Sequence, residues 1–264
     1  MRSRLIPGAV LALCFSLAAG SAFAQTGTKP KPKFEPESGQ AGKDVVWVPT
    51  PQVLVDKMLS MAKVTPQDVV MDLGSGDGQT VISAAKLGAR AYGVEYNPDM
   101  VELSKQKAVE AGVTDKATFV KADLFETDLS KATVITMFLL PQINLKLRPK
   151  ILDLKPGTRI VSNSFTMDDW QADETATLTE DCTSWCTALL WIVPAKVDGG
   201  WTTSQGDLEL KQMFQMVTGT FAGKAITEGR LRGDALTFTA GGTEYTGKVT
   251  GKTIQGSRWT ATKK

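Results

Sequence analysis

Histidine is absent from all 264 residues. That argues against Ser-His and Cys-His nucleophilic catalysis and against the usual histidine-containing metal centres. Net charge is nearly absent as well, since 30 Lys and Arg stand against 28 Asp and Glu. Bulk charge therefore indicates no basic strip for nucleic acid. Cysteine is scarce: Cys14, Cys182 and Cys186 are the three. The stretch Cys182-Thr183-Ser184-Trp185-Cys186 is one residue too long for a redox C-x-x-C and has too few ligands for a metal site. Its spacing lets a disulfide close a hairpin turn in an oxidising compartment, with two free thiols as the other reading.

Residues 5–19 form an apolar stretch that is short for a membrane span. Arg2 and Arg4 precede it and Ala22-Phe23-Ala24 follows it as an A-x-A site. That pattern predicts a secretory signal peptide over residues 1–24, cleaved after Ala24, and a periplasmic or secreted protein. A membrane partner follows only if the segment stays uncleaved. Leu13 before Cys14 argues against a lipoprotein site, and two separated arginines make no twin-arginine signal. Removing the leader takes away two arginines and no acid, which leaves 28 residues of each sign and a formal charge of zero. Residues 25–42, rich in Pro, Lys and Gly, are expected to be a flexible linker.

The chemistry concentrates in Val69-Val70-Met71-Asp72-Leu73-Gly74-Ser75-Gly76-Asp77-Gly78. An apolar strand carries an acid near its end, and three glycines alternate through the turn that opens a helix. Gly74 and Gly76 allow a tight turn and the close approach of an adenosine-type ligand. The dinucleotide fingerprint G-x-G-x-x-G is excluded, because its third glycine would fall at Gln79. Asp72 suits a ligand carrying an ammonium group instead. The combination resembles motif I of the class I S-adenosylmethionine (AdoMet) methyltransferases, with a glycine-rich turn in an unrelated α/β protein as the alternative.

Ala91-Tyr92-Gly93-Val94-Glu95 reads as a second strand whose terminal acid can take both ribose hydroxyls; alone, Glu95 would read as a solvated strand end. A helix is expected over 98–111, with Pro98 in its first turn. Thr118-Phe119-Val120-Lys121-Ala122-Asp123 reads as a third strand. The resemblance implies that Asp123, with Leu124, meets the adenine; the other reading of Asp123 is a surface turn. A fourth strand over 133–140 is apolar throughout, as a central parallel strand is. A helix over 145–154 should break or restart at Pro149. Strands over 159–164, 173–179 and 187–193 complete the series. This alternation predicts a doubly wound, mostly parallel seven-stranded α/β sheet with an antiparallel end. Its ligand belongs outside the carboxyl ends of the strands.

Val48-Pro49-Thr50-Pro51-Gln52, the Asp72–Gly78 motif and Leu139-Leu140-Pro141 together resemble a narrower family over about residues 44–194. It is the lysine methyltransferase family of the mitochondrial enzymes that act on the ATP-synthase c-subunit, with exported bacterial relatives. Gln79 stands where an arginine is usual, and Ser162-Asn163-Ser164-Phe165 where a histidine-containing tetrapeptide is expected. The resemblance implies AdoMet as cofactor, held by Asp72, Gly74, Ser75, Gly76, Glu95, Asp123 and Leu124. It implies a protein or small-molecule acceptor, with a protein lysine as the family's own, presented at the tip of the fourth strand beside Pro141 and Asn144. Thr50 is a candidate ligand contact, with turn chemistry as its other reading. Trp47, Phe138 and Trp170 could line a pocket that attracts a cationic side chain, with core packing as the alternative for each. Methyl transfer needs no histidine, because the sulfonium already activates its methyl group.

After Pro194 the pattern changes to short alternating runs with glycines at turn spacing. Gly229-Arg230-Leu231-Arg232-Gly233-Asp234-Ala235-Leu236 and Gly247-Lys248-Val249-Thr250-Gly251-Lys252-Thr253-Ile254 match at an offset of 18. The repeat reads as successive hairpins of a small antiparallel β-sandwich or partial barrel over 195–264. The methyltransferase unit is expected over 43–194. A second reading of the whole chain remains, an exported binding protein that keeps the fold without turnover.

Overall fold

The computed structural model describes residues 34–264. The expected leader, residues 1–24, and the first part of the expected linker, residues 25–33, lie outside the described residues. The apolar run before the glycines forms β1 (Val69–Leu73), and its last four residues are buried. It pairs in parallel with β2 (Arg90–Glu95) on one side and β4 (Val134–Met137) on the other. β3 (Ala117–Lys121) lies beyond β2 and β5 (Arg159–Asn163) beyond β4, both parallel. β7 (Thr187–Ile192) and β6 (Glu174–Thr177) complete the sheet antiparallel, in the order β3-β2-β1-β4-β5-β7-β6. The order reverses between β1 and β4, which opens a crevice at their carboxyl ends.

Alternate strand residues serve two cores. Val70, Ala91, Val134 and Val161 pack beneath α1 (Gln52–Met61), α2 (Gln79–Lys86) and α3 (Pro98–Glu110). Met71, Val94, Ile135 and Ile160 pack on the other face with α4 (Pro141–Leu152). Asn97 caps α3 by accepting from the Asp99 amide at 2.9 Å, and Pro98 takes the first helical position.

Two expectations around the fourth strand need correction. The strand ends at Met137, and the helix starts at Pro141 and runs unbroken through Pro149. Ile143, Leu147 and Ile151 recur at four-residue spacing and are all buried, so packing holds the helix. Pro149 is exposed, so water can satisfy the carbonyl one turn earlier that loses its donor.

Past Pro194, eight strands follow as a meander: β8 (Gly199–Thr203), β9 (Gly206–Met213), β10 (Met216–Phe221), β11 (Lys224–Arg232), β12 (Ala235–Ala240), β13 (Thr243–Thr250), β14 (Thr253–Gly256) and β15 (Thr260–Lys263). The expected sandwich or partial barrel is instead fully closed, because β15 pairs with β8 and β9 with β10. Closure leaves no unpaired edge. The 18-residue repeat superposes two of its hairpins. Leu231 pairs with Leu236 and Val249 with Ile254, all four buried, across turns containing Gly233 (φ +63°) and Gly251 (φ +57°). The interior is filled by side chains, with Phe221, Phe238, Tyr245 and Trp259 at ring separations of 4.8 to 6.1 Å.

The barrel is fastened to the sheet. Phe214, at the β9–β10 turn, stacks on Trp170 at 5.8 Å, and the Arg148 guanidinium lies 5.3 Å from its ring. Arg230 of β11 donates to the buried Asp173 carboxylate at 2.7 Å, and Gln215 donates to the Gln171 carbonyl at 2.8 Å. A small barrel with one filled core is marginal alone, so these contacts supply support.

Candidate active site

The crevice outside β1, β2 and β4 is a pocket lined by Thr50, Asp72, Gly74, Ser75, Gly76, Glu95, Asp123 and Leu124. These eight sequence candidates come from four segments; the parallel register aligns the ends of β1, β2 and β3, and Thr50 joins from the segment before α1. Trp47, Tyr96, Phe138 and Leu139 join them. The glycine turn is shaped by Gly74 (φ +74°), Gly76 (φ +53°) and Gly78 (φ +83°). Its first amides, from Gly74 and Ser75, both donate to the Val94 carbonyl, at 2.9 and 3.0 Å.

Glu95 accepts from the Gly76 amide through one oxygen and from the Asn97 amide through the other, each at 2.9 Å. A carboxylate offers about four acceptor positions, so both oxygens keep capacity for a diol. Asp72 is buried, and one of its oxygens accepts from the Thr136 hydroxyl at 2.6 Å. Burial pushes its carboxyl up to about 7; the Thr136 bond opposes this and the neighbouring Glu95 and Asp77 carboxylates add to it. Ser75 Oγ is buried without a hydrogen-bond partner among the described residues. An acid held near neutrality and an orphaned hydroxyl in one lining fit a ligand that brings a cation and polar atoms.

The far end of the expected linker is folded over this pocket. Residues 40–47 form a loop closed by the Trp47 amide donating to the Gln40 carbonyl at 2.9 Å and the Gly39 amide to the Trp47 carbonyl at 2.8 Å. Lys43 on this loop pairs with Asp123 and lies 4.9 Å from the Tyr96 ring centre. The hydrogen bond to Asp123 raises the Lys43 ammonium, and the same bond holds the Asp123 carboxyl below its ordinary range. Neither Lys43 nor Tyr96 was a sequence candidate: nothing periodic marks the loop that carries Lys43, and Tyr96 is simply the residue after β2. Trp47 sits against Gly76, where a Cβ would come within 2.4 Å of its indole nitrogen. Gly76→Ala is therefore expected to lose about 1 to 2 kcal/mol through the left-handed backbone alone and to displace Trp47. Thermal unfolding and amide exchange over residues 39–47 check this; unchanged exchange there would refute the packing argument.

Three candidates fall outside the pocket lining. Pro141 is exposed as the first residue of α4. Asn144, one turn into that helix, is fully buried and donates to the carbonyls of Phe165 and Thr166, at 3.2 and 3.1 Å. It braces a loop because the helix starts four residues earlier than expected. Trp170 is also fully buried, packed between Trp191 and Phe214, with its carbonyl accepting from the Trp191 indole at 2.7 Å. The strand tip that does line the pocket is Phe138-Leu139. Thr50 accepts from the Asn163 side chain at 3.3 Å, which ties the V-P-T-P segment to the end of β5.

Residues 72–174 match the family model of the ANTKMT methyltransferase domain. The chain is 46% identical over 133 residues to a protein-lysine N-methyltransferase of Saccharolobus islandicus, spanning 49% of this chain and 83% of that one. The chain belongs to this methyltransferase family. It is 37% identical over 107 residues to the mouse lysine N-methyltransferase of the ATP-synthase c-subunit, covering 40% of this chain and 43% of the mouse enzyme. The chain thus spans less than half the length of that mouse relative. The crystal structure of an RNA methyltransferase of Salinibacter ruber, in complex with S-adenosyl-L-homocysteine, matches at 47% identity and a TM-score of 0.54. That match covers 57% of this chain and 96% of the other. The methyltransferase uses AdoMet as its cofactor, and its pocket chemistry fits that group through the Asp72 carboxylate, the free capacity of Glu95 and the orphaned Ser75 hydroxyl.

Proposed function

We propose that the chain is an exported methyltransferase whose acceptor is a protein lysine. The observation that carries the activity is the convergence of Asp72, Glu95 and Asp123 on one pocket around the Gly74–Gly76 turn. Asp72 is assigned to the amino group of the cofactor, Glu95 to its ribose, and Asp123 with Leu124 to its adenine. When bound, AdoMet supplies an electrophilic methyl group on a sulfonium. The chain's share is alignment and exclusion of water, for which Trp47, Phe138 and Leu139 provide apolar walls. Such walls also favour the neutral form of a lysine nucleophile, which must shed its proton to attack. Residues 43–194 carry this chemistry and 195–264 form the attached module.

Protein lysine is supported by the names of the Saccharolobus and mouse relatives. The Salinibacter relative is named for RNA, and the balanced charge of this chain weighs against that acceptor. Export is supported by the leader pattern of residues 1–24 and by the Cys182–Cys186 disulfide, which belongs to an oxidising compartment.

The test is calorimetric titration of AdoMet into the purified protein, followed by labelled AdoMet with a cell-envelope protein fraction and mass spectrometry of the labelled peptides. Glu95→Ala is expected to weaken binding at least about tenfold, since a charge-assisted contact contributes about 1.5 to 3 kcal/mol. Label on lysine supports the acceptor. Binding with label only on other residues overturns the lysine reading, and no binding at millimolar AdoMet overturns the site.

A further inference from the structure

Phe138 lines the cofactor pocket, but two further rings continue from it toward solvent. Phe165 stacks beside Phe138 at 5.9 Å, and Trp185 meets Phe138 at 6.0 Å and Phe165 at 5.1 Å. Trp185 is 45% exposed, which is unusual for the largest apolar side chain. It is also held in the left-handed region at φ +58°, as is Asp181 at φ +55°. Both lie on the loop between β6 and β7 that the Cys182–Cys186 disulfide closes. Backbone strain of this kind persists only where surrounding structure imposes it, and here the covalent bond spans Trp185. The same loop carries Glu180 and Asp181, both exposed.

We propose that Phe138, Phe165 and Trp185 form the acceptor subsite, an aromatic wall that takes the acceptor's cationic side chain on its way to the cofactor. Ring faces attract ammonium and methylammonium groups electrostatically, and the two loop acids add long-range attraction. The disulfide serves to hold Trp185 over the two phenylalanines, so the subsite is complete only in the oxidised protein. This inference rests on the lysine-acceptor reading and adds where that side chain is recognised.

The probe is Nα-acetyl-Nε-trimethyllysine methylamide, permanently cationic and unable to accept another methyl group. Its neutral tert-butyl isostere is the control. Binding of each to the full chain is followed by saturation-transfer NMR without AdoMet, so failure here is distinct from failure of the cofactor site, which is titrated separately. Trp185→Ala and reduction of the disulfide are each expected to weaken the cationic probe about five- to thirtyfold. Trp185→Phe should restore most of the affinity, and AdoMet affinity should stay unchanged in every case. Equal binding of the two probes, or wild-type affinity in Trp185→Ala, would overturn the proposal. So would a parallel loss of AdoMet binding in Trp185→Ala, because that marks a structural role.

Discussion

Asp72→Asn is expected to make the free protein more stable at pH 8 while weakening AdoMet at least a hundredfold. The reason lies in burial: Asp72 has its carboxyl pushed up to about 7 from an ordinary 3.8. The folded chain therefore holds that proton more tightly than the unfolded chain does. Below about pH 4 the group is protonated in both states and carries no penalty. As pH rises from there toward 7 the unfolded state alone ionises readily, so stability falls across that window and stays reduced above it. The gap corresponds to at most about 4 kcal/mol. Asparagine keeps the oxygen that accepts from Thr136 and removes the buried charge, but its amide needs a partner, so a gain of about 1 to 3 kcal/mol is expected. For a chain of this size that is a rise in Tm of roughly 3 to 8 °C.

Cofactor binding responds in the opposite sense. The ammonium of AdoMet needs the ionised carboxylate, so wild-type affinity should fall about tenfold per pH unit below 7. The variant's residual affinity should be flat from pH 6 to 8. Melting curves and calorimetry at pH 5 to 9 check both halves. A variant that melts lower than wild type at pH 8, or binds AdoMet normally, would contradict the assignment.

Arg230→Ala is expected to cost about 2 to 3 kcal/mol, although Arg230 itself lies on the barrel surface. Its partner Asp173 has a fully buried side chain, with the Ile192 amide as its other donor at 2.8 Å. Losing the guanidinium strands a carboxylate in a dry seam between sheet and barrel. Breaking a buried pair typically costs about 3 to 5 kcal/mol, and water near the half-exposed arginine reduces that. Replacing both partners, as Asp173→Asn with Arg230→Met, should recover most of the loss, because no orphaned charge remains. Urea unfolding read by tryptophan fluorescence tests this. A double variant less stable than Arg230→Ala would overturn the orphaned-charge argument.

How far the sequence reached depended on which physical signal each residue carried. Asp72, Gly74, Gly76 and Glu95 were legible because strand termini and positive-φ turns leave local signatures. Trp170 and Asn144 were misplaced for a shared reason. An apolar indole and a polar amide look the same in sequence whether they face a pocket or a core. Phe214 decides the case of Trp170, and it arrives from a strand turn 44 residues later. Lys43 was hidden just past a segment whose composition reads as a linker, whereas Trp47 was legible as a pocket candidate. Lys43 meets Asp123 and Trp47 packs against Gly76, contacts that only the folded chain brings together.

By itself the sequence determined the alternation of strands and helices, the acids at the strand ends, the glycine turn and the second, all-β unit. Those are set by local backbone preference and by the period of burial, which neighbours along the chain express. Tertiary structure alone decided barrel closure, the course of α4 through Pro149, the fold-back of residues 40–47 and the aromatic wall around Trp185. Each of these depends on groups far apart in sequence, whose meeting is an outcome of packing and which no local pattern encodes.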